Sequence, residues 1–91
     1  MPDRADYLAR TLITRMHSLE KVLAEDQGGD AVRRRLELVE KILAVEAGVL
    51  DGATHRLVLA ALPDPGSRHT VSTRQQAEFA AFVRQHVALE V

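Results

Sequence analysis

One apolar seam constrains this chain more than any other feature. Val32, Leu36, Val39, Leu43, Glu46, Leu50, Ala53, Leu57 and Ala60 follow one another at alternating spacings of four and three. That is a heptad-like stripe on a helix, sustained over about four heptads. Leu38, Ile42, Val45 and Val49 form a second apolar row beside it. No proline interrupts residues 31–62, so an unbroken helix there would be about 48 Å long at 1.5 Å per residue. Gly48 and Gly52 each cost about 1 kcal/mol relative to Ala inside a helix and mark the place for a break. The seam keeps its phase across both, which favours one long helix, with the glycines explained by close helix approach. The alternative is a break at Gly48–Gly52, giving a four-helix bundle in which the chain folds back.

The flanking segments read as helices too. Leu8, Leu12, Met16, Leu19 and Leu23 make an apolar face over about residues 3–25, with Asp3 as N-cap and Gln27-Gly28-Gly29 as the stop. Asp6–Arg10 and Lys21–Glu25 have the spacing of surface ion pairs. Asp30 stands where the second helix needs a cap. Pro63-Asp64-Pro65-Gly66-Ser67 ends that helix, and either Ser72 with Gln75 or Thr73 with Gln76 makes a capping box for a last helix over about 74–89. Its apolar face is Phe79, Phe82, Val83, His86 and Leu89. The expected fold is therefore all-α: a single domain over residues 1–91, a three-helix or four-helix bundle with a long central helix. The first helix, about 33 Å long, covers only part of that central helix. Two apolar rows exceed what one antiparallel partner needs, and soluble monomers avoid large exposed apolar patches. The excess points to self-association as a dimer or tetramer, with Val32, Leu36, Val39, Leu43 and Leu50 at the interface.

Composition narrows the functional classes. With no cysteine, disulfides and thiolate metal sites are excluded. The formal charge is −1 and only Tyr7, Phe79 and Phe82 are aromatic, so neither a basic total nor a stacking platform for bases is present. No apolar run is long enough for a membrane span, and the acidic start, Met1 to Asp6, is unlike a signal peptide. A cytoplasmic protein without a cofactor is expected.

Several residues are candidates for chemistry. Arg33, Arg34 and Arg35 open the second helix, where cations oppose the helix dipole, and they are a candidate patch for an anionic partner. Their bland reading is a solvated face, with Arg33 paired to Glu37 and Asp30 relieving the dipole. Glu46 occupies a seam position, and Glu46 and His55 are candidates for a polar interface or cavity. His17 with Glu20, Asp51 with His55, and His86 with Glu90 have helical metal-ligand spacing, but no pair repeats symmetrically and no metal site is assigned. His69 is the fourth histidine. His86 lies on an apolar face, as a core histidine would. No nucleophile–base arrangement is visible, and the reading leans against an enzyme.

Arg15-Met16-His17-Ser18-Leu19 on a first helix, ahead of a long second helix and a short third, resembles in layout the small helical metal- and formaldehyde-responsive repressors. The resemblance is one of layout rather than motif. The Gly-Gln expected after the basic pattern is missing, the position of the ligand cysteine falls near Val32 or Arg33, and only His55 matches a mid-helix ligand. It implies a tetramer that binds DNA through basic residues. The leading expectation is a non-enzymatic, self-associating protein that binds another macromolecule. A DNA-binding regulator using Arg33, Arg34 and Arg35, and an enzyme or metal protein with a site at a subunit interface, are the alternatives.

Overall fold

A computed structural model describes residues 3–25, 29–64 and 71–87. It contains four helices and, among the described residues, no strand: α1 (Arg4–Glu25), α2 (Ala31–Ala47), α3 (Gly52–Ala61) and α4 (Thr73–His86). No helix among them is long and apolar enough to cross a membrane. His69 and Leu89 lie outside the described residues.

The long central helix is not formed. The chain turns after Ala47, and its longest dimension, 41 Å, is shorter than an unbroken helix over residues 31–62 would require. Local chemistry explains the turn. Gly48 adopts φ +66°, a left-handed conformation that costs glycine little. Its N–H donates to the Ala44 carbonyl at 3.1 Å, and the Val49 N–H donates to Leu43 at 3.0 Å, which closes the end of α2. Asp51 then starts α3: its carboxylate accepts from the Ala53 and Thr54 N–H groups at 3.3 Å and from the Thr54 hydroxyl at 2.7 Å. His55 braces the corner, its Nε2 lying 2.7 Å from the Val49 carbonyl. A carbonyl only accepts, so Nε2 carries the proton. The glycines do not serve close helix approach. A Cβ on Gly48 would meet nothing within 4 Å, and one on Gly52 only the far end of Arg56 at 3.8 Å.

The core lies between α1 and α4 on one side and α2 and α3 on the other. Leu12, Val39, Leu43, Val58 and Val83 are its largest fully buried side chains. Ala5, Leu8, Ala9 and Phe79 pack beside them. Small residues at Ala5, Ala9 and Ala80 fill the core without bulk between the helices. Ser72 and Gln75 form the capping box at the start of α4: the Gln75 N–H donates to the Ser72 hydroxyl at 3.1 Å, and the Ser72 N–H to Gln75 Oε1 at 3.0 Å. Arg84 in the last turn of α4 reaches Asp3, and Asp6 at 3.6 Å, at the start of α1. That ties the two ends together and puts each charge at the favourable end of its helix dipole. Asp6 therefore meets Arg84, not Arg10. The Arg84 guanidinium, aided by the Ala5 N–H, holds the Asp3 carboxyl below its ordinary pKa.

Candidate interaction surface

The break divides the seam. Val39 and Leu43 are fully buried inside the chain, so they are not available to a partner; Leu36 is half-buried. Val32 remains 74% exposed, and Leu50, at the corner, 80% exposed. On α3 the inner face is filled by Val58, and the outer face carries Ala53, Leu57 and Ala60 in the open. The second half of the seam thus lies on the outside of the molecule. Leu57 and the alanines on its face lie outside the Val32, Leu36, Val39, Leu43 and Leu50 set that the sequence offers as an interface. Their signal was there, in the same spacing as Leu43 and Leu50.

The break also releases Glu46 from the core position that the seam gave it. It is exposed in the last turn of α2, where its backbone carbonyl accepts from the Arg4 guanidinium at 3.3 Å. His55 is buried at the corner, and its Nδ1 has no partner among the described residues. His86 is exposed, not in the core; its ring lies 4.3 Å from that of Phe82, centroid to centroid. Its neighbour Val83 takes the core position. Among the described residues no three His, Asp or Glu side chains converge on a common point.

The arginines do not make one patch. Arg33 bonds Asp30 at 3.3 Å and lies 3.8 Å from Glu37. Arg35 points the other way and holds Glu20 of α1 in a two-pronged ion pair at 2.5 and 2.9 Å. Successive helical residues lie about 100° apart, which separates the three by geometry. Sequence spacing alone pairs Arg33 with Glu37, but the link to Glu20 requires the α1–α2 packing.

A second feature was invisible in the sequence. Between the C-terminal half of α1 and the end of α3 lies a cleft of about 570 Å³. Ile13, Met16, Leu59 and Leu62 line it together with His17, Lys21, Asp64 and the Glu20–Arg35 pair. Lys21, spaced to pair with Glu25, faces this cleft instead, and among the described residues neither Lys21 nor His17 has an ion-pair or hydrogen-bond partner. A smaller hollow beside Arg4, Tyr7, Leu8 and Glu46 holds about 150 Å³. No protein-family model, curated protein or solved structure matches the chain, so its function rests on its own residues.

Proposed function

We propose that this is a non-enzymatic interaction protein that associates with copies of itself through the outer face of α3. The observation that carries this reading is the apolar row Ala53, Leu57 and Ala60, exposed on the outer face of α3, with Leu50 exposed at the corner just before it. A single exposed leucine is ordinary, but a row in helical phase makes a patch. The row alternates large and small. An antiparallel second copy brings this face against itself, with Leu57 of each copy beside Ala53 or Ala60 of the other. A two-fold contact needs that kind of self-complementarity. α3 is only about 15 Å long, and a standard interface buries about 800 Å² per partner. The contact therefore extends beyond α3, and Leu50, 80% exposed at the corner before it, is the adjoining apolar residue.

The other readings lack such an observation. A DNA-binding role rested on three arginines acting together and on a long second helix. Arg33 and Arg35 are engaged with carboxylates, and α2 ends at Ala47.

Light scattering after size exclusion, across a range of concentrations, tests the proposal. The wild type is expected above the 10.1 kDa of one chain. Leu57→Asp is expected to return it to that mass while keeping its helical signal and melting temperature. A wild type that stays at one chain's mass at every concentration sinks the proposal.

A further inference from the structure

The corner over Gly48 to Asp51 joins two halves, α1–α2 and α3–α4, that share one core. α4 packs chiefly on α1, and α3 on α2. Leu8, Leu12, Val39 and Leu43 come from the first half, and Val58, Phe79 and Val83 from the second. The ion pair of Asp3 with Arg84 also crosses from one half to the other. Neither half encloses that core alone, and the second half of another copy offers the same surfaces. Exchange of an identical element between copies is a low-cost route to a dimer, provided the joint between the halves has a second path to take.

The seam supplies that path. It keeps its phase through the corner, so that with residues 48–51 helical, Leu50 and Leu57 stand in line with Val39 and Leu43. The cap bonds of Gly48, Val49, Ala53 and Thr54 are then traded for ordinary helical ones. Leu50 is exposed at the corner and has no core contact to lose. The bond from His55 to the Val49 carbonyl is given up, which makes it the latch of the closed chain.

We propose that this corner is a hinge through which two copies exchange their α3–α4 halves. Each core is then completed by Val58, Phe79 and Val83 of the other copy. This rests on the self-association proposed above and says how the second copy engages.

Asp3→Arg and Arg84→Asp test it by complementation. Either change alone sets like charges against each other where α1 meets α4. In an exchanged dimer of one variant with the other, both contacts between positions 3 and 84 regain opposite charges. In an unexchanged dimer neither does. The two full-length variants are unfolded and refolded together, and the dimers are counted by native mass spectrometry. Mixed dimers are expected at about threefold or more above their statistical share. The double variant, with both changes on one chain, keeps opposite charges within itself and guards against a folding failure of the single variants. Mixed with wild type, it should give fewer mixed dimers than the statistical share. Statistical shares in both mixtures overturn the exchange and leave the α3 contact standing. A wild type that forms no dimer overturns both.

Discussion

The middle of the apolar seam and its second half share one spacing but have opposite environments. Val39 and Leu43, on α2, are fully buried between helices of their own chain. Leu50 and Leu57, seven and fourteen residues beyond Leu43, are 80% and 44% exposed. Between them the chain turns over Gly48 to Asp51, which leaves Leu50 at the corner and starts α3, with Leu57, in a new direction. Periodicity describes which residues share a face; it does not say which way that face points once the helix axis changes direction. A heptad-like pattern is therefore evidence for helix and for burial somewhere, but the partner that provides the burial depends on the path of the chain.

The sharpest way to break the comparison is at Leu43. Leu43→Ala is expected to destabilise the fold by about 2–5 kcal/mol, as for other fully buried leucines, and Leu43→Asp to unfold it. Denaturant titration measures both. If Leu43→Ala cost as little as Leu57→Ala, the two halves would not differ as described. Next in size is the corner itself. Gly48→Ala forces a side chain into φ +66° and should cost about 1–2 kcal/mol. A stabilised variant in the same titration would mean that the helix prefers to run straight through.

Asp51 gives a smaller, pH-dependent effect. The Thr54 hydroxyl and the Ala53 N–H hold its carboxyl below the ordinary value of 3.8. A lowered folded pKa means that the folded state binds fewer protons than the unfolded one. The stabilisation is then present above 3.8 and is lost as pH falls through the lowered value. Asp51→Asn should lower the melting temperature by a few degrees near neutral pH and remove part of the acid-induced fall. An acid profile identical to the wild type would show that the cap does not carry this charge. The smallest effect is expected at Arg33. Its partners are exposed, and Arg33→Ala should change stability by less than about 0.5 kcal/mol. A larger loss by thermal melting would mark the arginine as a structural element.

The start of α1, the capping box of α4 and the Arg33–Glu37 approach were readable because each depends on residues within four positions of one another. The Asp6–Arg10 and Lys21–Glu25 pairs had the same spacing and do not form. Arg84 takes Asp6 from across the fold, and Lys21 faces the cleft. Local spacing permits an exposed pair, but its small energy yields to whatever the tertiary fold brings nearby.

The sequence by itself determined an all-α chain without thiol chemistry, the limits of α1 and α4 to within a few residues, and which residues share a helical face. Those properties follow from short-range sterics, capping and periodicity. Tertiary structure decided that Leu43 is core while Leu57 is surface, that Glu46 is exposed while His55 is buried, and that an open cleft lies between α1 and the end of α3. The corner signals were present in the sequence as Gly48 and Asp51, but a phase that continues through them fits a straight helix equally well. The choice rests on burying Val39, Leu43 and Val58 together, a contact between residues far apart in the chain that only the folded molecule brings into being.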